Sequence, residues 1–147
     1  MKKALLVLMM IFGVHSLHAE CTSKYGNSYV YESDYGEIKG FDFIDCAMNA
    51  GEKTIYRFEL KYEEDVSDWH CFDAETSNLD GRYTTTTLKY WPKDNPDDVR
   101  EGFADPFYEL AICTSDKDNE DRSEGDIYTF EMEILSTVDQ TGTFFFD

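Results

Sequence analysis

Two stretches of the chain alternate apolar and polar residues with a period of two. In residues 54–62, Thr54, Tyr56, Phe58, Leu60 and Tyr62 share one face, while Ile55, Arg57, Glu59 and Lys61 fall mostly on the other. In residues 126–135, Tyr128, Phe130, Met132 and Ile134 face one way and Thr129, Glu131 and Glu133 the other. Such alternation marks a strand that buries one face. Residues 82–91 are rich in β-branched and aromatic side chains and follow the turn dipeptide Asp80-Gly81, so they read as a third strand. Residues 28–32, 38–46 and 107–113 add candidates, 143–146 would close a sheet, and only 45–51 suggests a helical turn. Turn signals at Tyr35-Gly36, Asn49-Ala50-Gly51, Asp80-Gly81, 91–96 and Glu124-Gly125 separate these runs. That spacing predicts an all-β fold, a small antiparallel β-sandwich or barrel. The likeness of 55–60 to 127–132 is accounted for by shared amphipathic patterning.

The opening MKKALLVLMMIFGVHSLHA sets Lys2 and Lys3 before an apolar run and ends at Ala19, the pattern of a cleavable signal peptide. Its apolar run is too short to span a bilayer, which needs roughly 20 residues. Glu20 stands where a lipoprotein would carry a small residue before Cys21. The expected organisation is a signal peptide at 1–19 and a single acidic β domain at 20–147, with the periplasm as its address.

The formal charge is -18, and removal of Lys2 and Lys3 makes it more negative still. Such a charge repels nucleic-acid phosphates and anionic membrane surfaces and makes a basic protein the natural partner. The alternative is that it keeps a small exported domain soluble. Aromatic residues make up 16% of the chain, enough core-forming material for it to fold despite the charge. An edge strand would also allow a homodimer.

Cys21, Cys46, Cys71 and Cys113 form an even set in an oxidising compartment, so two disulfides are expected. Three connectivities are open; Cys21 with Cys46 and Cys71 with Cys113 avoids threading one loop through another. No C-x2-C pair exists and His70 is the one histidine after Ala19, which argues against zinc. Asp116, Asp118 and Glu120 begin like a calcium loop, but Asp121 and Ile127 stand where glycine and glutamate are required. A looser calcium site in this loop is the remaining metal reading. No G-x-S-x-G elbow accompanies His70, which reads as a structural or interface residue and not as a base. No catalytic residue, cofactor site or metal site emerges, and the expected class is a binding protein, not an enzyme.

Acidic loops around tryptophans are the candidate contact surface: Glu63, Glu64, Asp65, Asp68, Trp69 and His70 in one, and Asp94, Asp97, Asp98 and Glu101 in the other, which follows Trp91. In size, export signal, charge and cysteine usage the chain resembles periplasmic immunity proteins that guard a bacterium against a type VI secretion effector degrading peptidoglycan. It also resembles the broader class of periplasmic lysozyme inhibitors, although the S-G-x-x-Y signature of one such family is absent. The resemblance implies that an acidic loop enters the groove of a basic muramidase and shuts out the glycan. A secreted calcium-binding or adhesive structural domain is the competing class.

Overall fold

The computed structural model describes residues 30–40, 42–77, 79–105, 110–115 and 121–146. The expected signal peptide, Cys21, and Asp116, Asp118 and Glu120 lie outside the described residues. Among the described residues, eleven strands carry the fold: β1 Val30–Ser33, β2 Gly36–Lys39, β3 Asp42–Met48, β4 Lys53–Tyr62, β5 Cys71–Ser77, β6 Thr84–Pro92, β7 Arg100–Glu101, β8 Phe103–Asp105, β9 Leu110–Cys113, β10 Ile127–Ser136 and β11 Gln140–Phe145. Among the described residues the helical content is one 3-10 turn at Gly81–Tyr83. The expected all-β, antiparallel character is therefore observed.

The strands form two antiparallel sheets, one ordered β1-β2-β4-β10-β6-β7 and the other β3-β11-β5-β9-β8. The two strongly alternating stretches, β4 and β10, pair at the centre of the first sheet with Phe58 opposite Phe130. Their inward faces are those the alternation assigns, with Tyr56, Phe58, Leu60 and Tyr62, and Tyr128, Phe130, Met132 and Ile134, all buried. Phe58, Phe130 and Tyr90 form a stacked row across β4, β10 and β6, with centroids 5.1 and 5.3 Å apart. The second sheet meets this row edge-on, Phe72 against Phe130 at 6.1 Å and Phe146, just past β11, against Phe58 at 6.3 Å. Each aromatic pair adds about 0.5–1.5 kcal/mol beyond its area burial, so this interlock fixes how the sheets sit on one another.

Two expectations are corrected and a third is met in part. Residues 38–46 are not one strand: the chain turns at Gly40, whose φ is +91°, and passes from β2 in one sheet to β3 in the other. Residues 45–51 hold no helical turn, because β3 runs to Met48 with Cys46 and Met48 both buried, and the chain then reverses through Gly51 at φ +82°. Of the expected disulfides, Cys71–Cys113 is observed, joining β5 to β9; Cys46 is not a free thiol, and Cys21 lies outside the described residues.

At one side the chain itself links the two sheets. β7 pairs with β6 in the first sheet, and after Gly102 the chain enters the second sheet as β8. Gly102 N–H donates to Leu88 C=O at 2.9 Å, and Thr86 Oγ1 donates to Ala104 C=O. A Cβ on Gly102 would lie 2.3 Å from the Cys113 carbonyl oxygen and 2.9 Å from Leu88 Cδ2. Backbone cannot yield as a side-chain tip can, so Gly102→Ala should lower unfolding stability by about 1–3 kcal/mol in urea titration. An unchanged midpoint would show that the corner has room to spare.

Candidate functional site

Charge is divided between the two sheets. The strands of the first carry Lys39, Lys53, Arg57, Lys61, Lys89 and Arg100 against Glu32, Glu37, Glu59, Glu101, Glu131 and Glu133. Ion pairs cross its outer face from Lys53 to Glu133 at 3.1 Å, Arg57 to Glu131 at 2.6 Å and Lys93, just past β6, to Glu59 at 3.0 Å. The strands of the second sheet carry Asp42, Asp45, Asp73, Glu75 and Asp105 and no lysine, arginine or histidine. Because Phe72, Ala74, Ala104 and Ile112 point into the core, period-two geometry turns Asp73, Glu75 and Asp105 outward. Asp73 and Asp105 flank Ala111 in one cross-strand row. The next row on the same face is Phe103, Cys113 and Cys71, its last two members joined by the disulfide.

At that end the acidic face runs into a concavity of about 580 Å³ whose lining includes Trp69, Glu101, Phe103, Thr114 and the disulfide. Phe103 and Trp69 are 58% and 55% exposed, the most exposed large apolar side chains among the described residues. The two acidic loops read from the sequence thus meet here, each contributing one residue: Trp69 from the first and Glu101 from the second. Glu63, Glu64, Asp65 and Asp68 are exposed on the approach to Trp69. Asp94 and Asp98 line a different groove with Lys93, Arg100, Asp126 and Tyr128, where Arg100 pairs with Asp98 at 2.8 Å; Asp97 lines neither. Sequence reasoning missed Phe103 and the carboxylates of β5 and β8.

His70 is not on this surface. It is buried, with Nδ1 2.9 Å from the Asp68 carbonyl and Nε2 2.8 Å from Tyr62 Oη. A carbonyl only accepts, so Nδ1 carries the proton and Tyr62 donates to Nε2. His70 N–H donates to Thr114 Oγ1 at 3.0 Å, and Thr114 N–H donates to the His70 carbonyl at 3.0 Å, which extends the β5–β9 ladder past the disulfide. His70 therefore anchors the backbone next to Trp69 and is withdrawn from contact with a partner.

A second anchor lies three residues before Trp69. Val66 and Arg122 exchange backbone hydrogen bonds at 2.9 Å, tying the first acidic loop to the segment that enters β10. The Arg122 side chain turns inward and is fully buried, its guanidinium 5.3 Å from the Tyr128 ring centroid, 5.8 Å from that of Tyr62 and 5.9 Å from that of Tyr90. Desolvated cation–π contacts of this kind are worth about 2 kcal/mol or more. Tyr62 is shared by both anchors, and Tyr90 Oη accepts at 2.8 Å from the N–H of Ser115, which also lines the concavity. Trp69 is thus held on a backbone fixed at both of these points.

At the other end of the first acidic loop, the carboxylate oxygens of Glu32, Glu37 and Glu63 lie within 4.8 Å of one another. Glu32 and Glu37 face each other across the β1–β2 hairpin, a like-charge pairing that opposes folding. The Glu32 carboxyl is raised above its ordinary range by its hydrogen bond with Glu63, by partial loss of water, and by the charges of Glu63 and Glu37. Comparison with known proteins returns no match, either to a family model or to a curated sequence.

Two outcomes are expected. Arg122→Met, which keeps the stem and removes the cation, should cost about 2 kcal/mol of unfolding free energy and red-shift Trp69 emission as its loop loosens; an unaltered spectrum and midpoint would disprove the anchor. A carboxyl raised in the folded state stabilises below its unfolded value and loses that contribution as pH climbs through the folded one. Glu32→Gln should therefore melt higher than the wild type at pH 7, and the gap should close below about pH 4. A melting difference independent of pH would contradict the like-charge account.

Proposed function

We propose that the protein is an exported inhibitor that binds and blocks a basic cell-wall hydrolase of the muramidase type, and that it serves as a self-protecting immunity protein against a type VI secretion effector. In this reading residues 1–19 direct it to the periplasm, and the mature domain is a two-sheet sandwich stapled by Cys71–Cys113 and by a second bond between Cys21 and Cys46. The reading rests on one observation: the carboxylates of the second sheet stand unmixed with bases and end at an aromatic concavity. An unmixed field of one sign speeds encounter with a cationic surface, and buried aromatic anchors then hold the complex. The neutral, ion-paired outer face of the first sheet offers neither. Catalysis finds less support, since His70 is locked in structural hydrogen bonds.

Purified mature protein, passed over extracts of its own host, should retain a basic peptidoglycan hydrolase in a one-to-one complex and abolish its activity. Raising salt from about 50 to about 500 mM should weaken that complex, because exposed charges are screened within a few ångströms at the higher value. Trp69→Ala or Phe103→Ala should each weaken it by on the order of 30-fold. Deleting the gene should leave the strain open to lysis by its siblings. Recovery of no hydrolase together with an unharmed deletion strain would dismiss the inhibitor reading.

A further inference from the structure

We infer that the Trp69–Phe103 concavity is a seat for a single arginine side chain of the partner protein, with Glu101 as the acceptor for its guanidinium. The inference rests on the reading of a cationic protein partner and specifies what that partner must present. Three features of the site carry it.

First, the shape is concave. At about 580 Å³ the space lies within the range of small-molecule sites, roughly 300–1,000 Å³, and has room for an arginine side chain. Second, the walls are of two kinds. Trp69 and Phe103 are exposed aromatic side chains, while Glu101, next to the Gly102 corner and opposite Lys89 in the β6–β7 pairing, is the carboxylate of the lining. An apolar stem ending in a planar cation satisfies both. Arginine stacks on aromatic faces and meets a carboxylate through two parallel N–H donors, whereas the compact ammonium of lysine holds its water more tightly and does neither as well. Third, the seat is rigid. Its lining includes the disulfide between β5 and β9; Thr114 is locked to His70, and Ser115 to Tyr90. The field of Asp73, Glu75 and Asp105 beside it draws in cations of any kind, so selection between arginine and lysine falls to the concavity.

The molecule carries its own reporter, because Trp69 is one of two tryptophans and Trp91→Phe leaves it as the only one. Poly-L-arginine and poly-L-lysine of equal length serve as probes, titrated into mature Trp91→Phe protein at low salt while Trp69 emission is followed, with calorimetry as a second measure. The expected result is binding of both, with polyarginine tighter by on the order of tenfold. Glu101→Gln and Phe103→Ala should each erase that preference and leave polylysine binding nearly unchanged. Asp73→Asn with Asp105→Asn should weaken both probes alike and preserve the preference. Equal affinity for the two probes, or a preference that survives Glu101→Gln and Phe103→Ala, overturns the arginine seat and leaves the cationic-partner reading standing. Failure of both probes to bind overturns the two together. Thermal melts of each variant separate lost folding from lost recognition: a Glu101→Gln or Phe103→Ala protein that melts as the parent does and keeps the full preference counts against the seat.

Discussion

Self-repulsion is the constraint under which this fold operates. With 31 acidic residues against 13 basic ones, each carboxylate added to a surface pushes on its neighbours, and a compact state must either interleave opposite charges or keep like ones apart. The first sheet interleaves them, with ion pairs from β4 to β10 and from β4 to Lys93, and an Arg57 guanidinium 5.9 Å from the Trp91 ring centroid. Those exposed pairs contribute little energy one by one, typically about 0–1 kcal/mol, but they leave that face with no net pull. The second sheet makes no such correction. Its strands, free of bases, tolerate their acids because the aromatic interlock beneath them and the Cys71–Cys113 bond supply the cohesion that surface electrostatics withdraw.

That arrangement makes the end of the molecule near Trp69 depend on a single buried cation. Arg122 is drawn from an acidic surface segment into a cage of Tyr62, Tyr90 and Tyr128, and its backbone bridge to Val66 brings the first acidic loop with it. Tyr62 in turn donates to His70, and His70 holds Thr114 beside the disulfide. Packing, hydrogen bonding and covalent linkage therefore converge on the few residues that flank Trp69. An exposed tryptophan on a slack loop would lose much of its contact energy to ordering; one presented between two fixed points does not.

Much of the first sheet was legible in the sequence, because β4 and β10 each alternate large apolar and polar residues over a full strand. β5 was not, since its inward positions include Phe72 and the small Ala74, while Asp73 and Glu75 between them suggest a solvated loop. β7 and β8 are too short to carry a period at all. The break at Gly40 was hidden because apolar residues continue on both sides of it, and only the change of sheet separates them. Trp69 and Glu101 were both marked as contact candidates, yet nothing in their 32-residue separation says that they meet; that follows from the pairing of β5, β9 and β8. Phe103 and Arg122 drew no reading of their own, because an isolated phenylalanine is ordinarily core and a lone arginine in an acidic segment ordinarily solvated. One signal was available: residues 101–115 and 71–81 contain no lysine or arginine, and runs so free of bases could have been joined into one face.

The two parts of the proposed site act over different distances, and their adjacency is what makes them useful together. A field of fixed carboxylates reaches outward by about a Debye length, near 8 Å at physiological ionic strength, and governs how often a cationic surface arrives and in which orientation. It discriminates poorly among cations, because it responds to net charge. The concavity reaches no further than contact, but there geometry separates one side chain from another, and rigidity slows departure. Because the row of Asp73, Ala111 and Asp105 is followed on the outward face by the row of Cys71, Cys113 and Phe103, a partner steered to the acidic face would arrive already beside the proposed seat. On the ion-paired face of the first sheet the same aromatic pocket would have to find its partner by unguided collision, and on a flexible loop the same acids would steer without ever specifying.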